Sequence, residues 1–119
     1  MPVDPRAAFG RWGEDMAAKH LLNKGYRLVT KNYRCRHGEI DLIVKKAKVL
    51  VFVEVKARKT LAFGIPAAAV TKIKQAKLHA TAWHYLQNVE HHYGRVRFDV
   101  VEVYYLNQHL SFRHLENCF

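Results

Sequence analysis

Between Gly38 and Arg58 the chain reads GEIDLIVKKAKVLVFVEVKAR, two apolar runs around a short lysine-bearing break. Runs rich in Ile, Val, Leu and Phe have the composition of strands. With so short a connection they must lie antiparallel, because a parallel pair needs a crossover of a dozen residues or more. Side chains alternate between the two faces of such a hairpin, so its register decides which residues meet. A turn centred between Ala47 and Lys48 makes opposed positions sum to 95, setting Asp41 against Glu54 and Glu39 against Lys56. These four polar residues then share one face. Ile40, Leu42 and Val44 against Val51, Val53 and Val55 make the other face apolar, and that face needs a helix to cover it. A slip of one residue would bury the charges and expose the valines. Ala-Lys is not a favoured two-residue turn, which predicts a looser four-residue loop about the same centre.

The polar face carries chemistry. Like charges directly opposed on a sheet repel each other, and desolvation makes the repulsion worse. In this register Lys56 pairs with Glu39, so Asp41 and Glu54 call for another cation. An oxygen-only site suits Mg²⁺ or Mn²⁺, whereas zinc would call for His or Cys, and neither residue type stands in these two strands. An ion held by Asp41 and Glu54 would activate a water and stabilise charge on a phosphate, with Lys56 orienting or deprotonating that water. Lys45, Lys46, Lys48, Arg58, Lys59, Lys72, Lys74 and Lys77, in or just after the hairpin, would gather substrate phosphates. The plainer alternative is a solvated hairpin face laced with salt bridges.

The rest of the chain supplies the cover. With 119 residues, half of them hydrophobic, it fits one domain spanning 1–119. Residues 6–24 read as a helix, with Phe9, Met16, Ala17 and Leu21 at near-helical spacing and Gly25 as the stop. Glu14 lies on the same stripe, and by position alone it is a half-exposed acid at the edge. Strands follow over 26–36, 39–45 and 49–57. A second helix spans about 66–87, with Val70, Ile73, Ala76, Ala80 and Trp83 along one side. The last strands are RVRFDVVEVYYL and a short one around LSFRHL, giving the order α-β-β-β-α-β-β. Trp12, Trp83 and the tyrosines have rings that could stack on bases, as in single-strand binders, but their spacing favours packing in the core, with Tyr104 and Tyr105 on opposite faces. His84, His91 and His92 read as helix caps or solvated side chains, and Asp99 as the partner of Arg95 or Arg97. Cys35 and Cys118, far apart and without a CxxC partner, read as reduced thiols.

Twenty Lys and Arg against ten Asp and Glu give a formal charge of +10. Such an excess points to a polyanionic partner, first of all nucleic acid. No apolar run reaches the roughly 20 residues that cross a bilayer, and the N-terminus lacks the apolar centre of a signal peptide. A cytoplasmic protein without a membrane partner is the expectation.

GRWGEDMAAKHL, GEIDLI, VFVEVKAR, VTKIKQAKL and RFDVV together resemble the YraN family of small bacterial proteins, from about Arg11 to Phe119. That family is grouped with the PD-(D/E)xK nuclease superfamily and is similar in outline to archaeal Holliday-junction resolvases. The resemblance implies a restriction-endonuclease-like α/β fold, a mixed central sheet flanked by helices. It gives Asp41 the place of the PD aspartate, Glu54 that of the second acid and Lys56 that of the lysine. Ile40 stands where the motif's proline, not itself a ligand, would be. Glu14 would join Asp41 and Glu54 as a metal ligand from the first helix, Glu39 would support Lys56, and Lys74 and Gln75 would face substrate. The implied activity is metal-dependent endonucleolytic hydrolysis of DNA, with branched or otherwise structured DNA as the substrate that the likeness to resolvases suggests, by a homodimer, with Arg34, Arg36, Arg58, Lys59, Lys72 and Lys74 contacting the nucleic acid. The rival expectations are a non-catalytic nucleic-acid-binding protein on the same fold, and a protein-interaction module whose acidic hairpin face docks a basic partner.

Overall fold

In the computed structural model the described residues are 4–59, 71–90 and 94–119. Helix α1 (Pro5–Asn23) starts where Asp4 accepts a hydrogen bond from the Arg6 N–H at 2.9 Å and Pro5 presets the first turn. It ends before Gly25, whose φ of +93° lets the chain reverse into the sheet. Strands β1 (Arg27–Cys35), β2 (Gly38–Lys46) and β3 (Val49–Arg58) follow. Helix α2 (Lys72–Asn88) is capped by Thr71, whose hydroxyl accepts from the Lys74 N–H at 3.1 Å, and β4 (Arg95–Leu106) and β5 (His109–Leu115) complete the chain. The order is α-β-β-β-α-β-β, as expected. Residues 66–70 of the expected second helix, and His91 and His92, lie outside the described residues.

The five strands form one sheet in the order β1-β2-β3-β4-β5. Only β3 and β4 run parallel, and the connection between them carries α2. A crossover of this kind lays its helix on one face of the sheet, and α1 covers the other. On the α1 face, Ala17 and Leu21 pack with Leu42, Val44, Val51 and Val53. On the α2 face, Leu78, Ala82 and Tyr85 pack with Ile43, Leu50 and Phe52. Beneath α1, the fully buried Asp99 takes two hydrogen bonds from Arg97, each 2.9 Å, and meets His114 Nε2 at 2.7 Å. The expected pairing of Asp99 with Arg97 is therefore present, within a larger network.

The hairpin register is the one expected, with Leu42 opposite Val53 and Lys46 opposite Val49. Four local expectations fail. The turn is a tight two-residue one: Ala47 takes φ +54°, and the Lys48 carbonyl accepts from the N–H groups of Gly94 and Arg95, tying the turn to the start of β4. Ile40 packs with Ile43 and Phe52 on the α2 face rather than with Leu42 and Val44. The break lies beside Asn32, which falls between the β1 partners of Leu42 and Ile40 and sits at φ +52°, a conformation Asn tolerates better than most residues. The α2 stripe is also reversed. Ile73 and Trp83 are 73% and 64% exposed, while Leu78, Thr81, Ala82 and Tyr85 face the sheet. His84 is neither cap nor solvated, since its Nδ1 lies 2.5 Å from the Tyr33 hydroxyl. Tyr104 donates to Glu102 and Tyr105 meets Trp12, so the two tyrosines do diverge.

Candidate active site

The site forms where β2 and β3 part. Their regular pairing ends at Leu42 and Val53, and beyond it Asp41 Oδ2 accepts from the Val55 N–H at 2.8 Å. A side chain thus takes over where a ladder bond would continue. That bond fixes the half-buried carboxylate. Burial pushes the Asp41 carboxyl up to about 7, reinforced by the charge of Glu54 and, less strongly, by Glu14 and Glu39; the Val55 hydrogen bond opposes the shift. The four acids therefore share one electrostatic neighbourhood.

Glu54 points to the α2 face, is buried, and is held by two amines. Lys74 Nζ lies 3.1 Å from its Oε1 and Lys56 Nζ lies 3.5 Å from the same atom. Burial lowers the Lys56 amine, aided by neighbouring Lys74 and resisted by Glu54. For Lys74, burial is the largest influence and works against the charged form, but Glu54, Lys56 and Asp41 together outweigh it and the amine is raised. Lys74 reaches Glu54 because Thr71 starts α2 beside the end of β3, and Gln75 follows it in the same half-buried turn.

The expected pairing of Glu39 with Lys56 does not occur. Glu39 lies opposite Arg34 in the β1–β2 register and binds it at 3.1 Å, which leaves Lys56 to Glu54. Glu14 approaches from α1. With its amide turned so that nitrogen meets acceptors, Asn32 donates to Glu14 Oε1 at 3.0 Å and to Glu39 Oε1 at 2.9 Å. Burial raises the Glu14 carboxyl, Asn32 resists, and Glu39 adds to the shift. Glu14, Asp41 and Glu54 are thus neighbours in charge, yet among the described residues no three Asp, Glu, His or Cys side chains converge closely enough to form a ready-made ion cage.

Of the expected phosphate contacts, Arg34 is engaged with Glu39 and Lys74 with Glu54, whereas Arg36, Lys59 and Lys72 are exposed. Arg58 is half-buried, and its Nε has no hydrogen-bond partner among the described residues. Two residues escape the sequence reading. Asn32 bridges Glu14 and Glu39, and the only hint of it is a turn-forming residue inside a strand. Glu102, fully buried, lies opposite Lys56 in the β3–β4 register and accepts from the Tyr104 hydroxyl at 2.6 Å. An acid in the apolar run VVEVYY was its available signal.

Fold and site define an α/β protein whose acids and lysine gather at the open end of a β-hairpin, between one helix on each face. Residues 13–103 match the family described as "Uncharacterised protein family UPF0102", and the chain belongs to that family. Its relatives carry the name "UPF0102 protein". One from Rhodococcus opacus (strain B4) is 46% identical over 96 residues, 81% of each chain. Another, from Clavibacter michiganensis subsp. michiganensis (strain NCPPB 382), is 48% identical over 94 residues, 79% of this chain and 80% of the relative. A third, from Pelotomaculum thermopropionicum (strain DSM 13744 / JCM 10971 / SI), is 40% identical over 119 residues, 98% of this chain and 99% of the relative. No helix among the described residues is long and apolar enough to cross a membrane.

Proposed function

We propose that this chain is a metal-dependent endonuclease acting on DNA, with branched or structured DNA as its substrate. The observation that carries the reading is the half-buried Asp41, fixed by Val55 and pressed by Glu54, with Lys56 beside Glu54. A folding chain gains nothing from such repulsion. The donor set fits a hard divalent cation: Asp41 and Glu54 would hold Mg²⁺ or Mn²⁺, with Glu14 closing from α1. When bound, the ion supplies charge stabilisation at the scissile phosphate and a more acidic water. Lys56 orients the attacking water and stabilises charge on the phosphate, and Glu54 holds Lys56 in place. Arg34 restrains Glu39 at the rim, and the exposed Arg36, Lys59 and Lys72, with the half-buried Arg58, contact the sugar-phosphate backbone. On a branched substrate, cutting both strands implies two copies of the chain.

One observation favours a second reading. Glu54 already carries two lysine amines, an arrangement complete without an ion. A protein of this fold that binds nucleic acid without cutting it would keep that pairing. Incubation with Mn²⁺ and labelled four-way junctions, flaps, single strands, duplex and structured RNA separates the two. The expected result is cleavage of a branched DNA that Asp41→Ala and Lys56→Ala each reduce at least 100-fold, a typical loss for such groups, while Asp41→Ala binds as well or better. Binding throughout with no cleavage by the wild type selects the non-catalytic reading.

A further inference from the structure

The N-terminal turns of α1 present an aromatic surface that the site does not use. Phe9 and Trp12 stack with ring centroids 5.4 Å apart and planes 19° from parallel. Tyr105, near the end of β4, meets Trp12 at 5.6 Å, and Lys59, just past β3, places Nζ 4.6 Å from the Phe9 ring. With Leu110 these residues line a cavity of about 370 Å³. A second cavity, of about 380 Å³, shares Phe9 and Lys59 with the first and extends past Arg6 to Val55 and Lys56. The two form one cleft, which begins at Lys56 and ends among aromatic rings. Tyr105 and Leu110 stay 41% and 38% exposed, an apolar exposure that contributes nothing to the core.

We infer that this cleft receives an unpaired nucleobase of the substrate strand, stacked among Phe9, Trp12 and Tyr105, with the flanking phosphates at Lys59 and Arg6. The inference rests on the reading of Lys56 as part of a phosphodiester site, and adds that the substrate carries single-stranded nucleotides beside the cut. Three features select this occupant. Each cavity is of the size of small-ligand sites, which begin at roughly 300 Å³. Flat aromatic walls accept any base by stacking, and the nearby cations favour an anionic backbone. Among the described residues, Lys59 lines both cavities, Arg6 and Lys56 line the second, and a carboxylate lines neither. A second copy of a chain carrying +10 would bring cations toward cations, and an intact duplex keeps its bases inside the stack.

The chain's two tryptophans, Trp12 and Trp83, make a direct test possible. Trp83 is 64% exposed and lines neither cavity, so Trp83→Phe leaves Trp12 as the only indole emitter. In that background, with Asp41→Asn added to prevent cleavage, short oligo-dT and a blunt duplex are titrated while Trp12 emission and the anisotropy of labelled DNA are followed together. Oligo-dT is expected to quench Trp12 saturably and the duplex to bind without quenching. Tyr105→Ala should weaken oligo-dT binding about tenfold, as loss of one stacking partner does, with duplex affinity unchanged. Oligo-dT binding that leaves Trp12 emission unchanged overturns the inference, as does equal weakening of both DNAs by Tyr105→Ala or no binding of either. Trp12 emission that instead changes with protein concentration, alongside a doubled mass, names a second copy as the occupant and overturns it too. Hydrolysis stands apart: cleavage without quenching removes only the cleft, and quenching without cleavage by the parent chain removes only the nuclease.

Discussion

Asp41 shows how a single side chain can hold a site at the expense of the fold. Its carboxyl is raised from 3.8 to about 7 in the folded chain. The sign follows from linkage. Below pH ~4 the carboxyl is protonated both folded and unfolded, and the folded state bears no charge penalty; as pH rises through about 7 the unfolded chain releases its proton first, and that stability is lost. Asp41→Asn removes the charge and keeps an acceptor for the Val55 N–H. In thermal melts without metal it should therefore raise Tm by several degrees at pH 8, corresponding to roughly 1–2 kcal/mol, and have little effect at pH 4. Mn²⁺ at pH 8 should raise the Tm of the wild type and not that of Asp41→Asn. Equal Tm values at pH 8 would show that Asp41 is not under strain. The acid pair was legible in the hairpin because alternation and register need only two strands. The partner of Glu39 was not, because Arg34 competes from β1, a strand whose register the hairpin does not set. Glu14 carries no such pattern of its own and is visible only through the family's motifs.

Gly13 determines where α1, and with it Glu14, can sit. A Cβ at Gly13 would lie 2.7 Å from the Ala57 Cβ, a methyl fixed to the backbone of β3. The helix rests on the strand at this point, one residue from Glu14 and one from Lys56. Gly13→Ala should push α1 off β3, cost about 1–3 kcal/mol as overpacking does, and reduce metal-dependent cleavage by more than the loss of folded protein accounts for. Urea unfolding beside single-turnover assays at saturating folded protein would separate these effects; unaltered stability would mean that the contact is soft. At this scale the strands were easier to read than the second helix. β2 and β3 have one apolar composition and one pairing, but α2 has two apolar faces. Ile73, Ala76, Ala80 and Trp83 repeat at helical spacing as well as Leu78, Ala82 and Tyr85 do, and periodicity cannot choose between them. The sheet chooses: the parallel crossover turns Leu78 and Tyr85 onto Phe52 and Ile40. The tight turn was missed for a related reason, since Ala47 is held at positive φ by the bonds of Lys48 to β4, some 46 residues further on.

Over the whole molecule, the charge is sorted. Glu54, Asp99 and Glu102 are buried, Asp15 is paired with Lys31, and Glu116 with Arg97, so much of the acid is already matched while most lysines remain at the surface. Helix α2 carries this furthest: Lys72, Lys74 and Lys77 lie along it with no Asp or Glu between Thr71 and Asn88. Lys74 serves Glu54, so on the proposed reading Lys72 and Lys77, both exposed, are the α2 lysines left to contact phosphate. Each phosphate neutralised on duplex DNA contributes about −0.9 to the slope of log K against log salt. Replacing Lys72 and Lys77 together by Ala should therefore flatten that slope by about two and weaken all duplexes alike, because a phosphate contact does not read sequence. Helix stability should not suffer, since Ala is at least as good a helix former as Lys. Fluorescence anisotropy across a salt series, with melting curves as control, reads both quantities. A slope unchanged by the double substitution would move the backbone path away from α2, toward Arg6 and Lys59 beside α1 on the opposite face of the sheet.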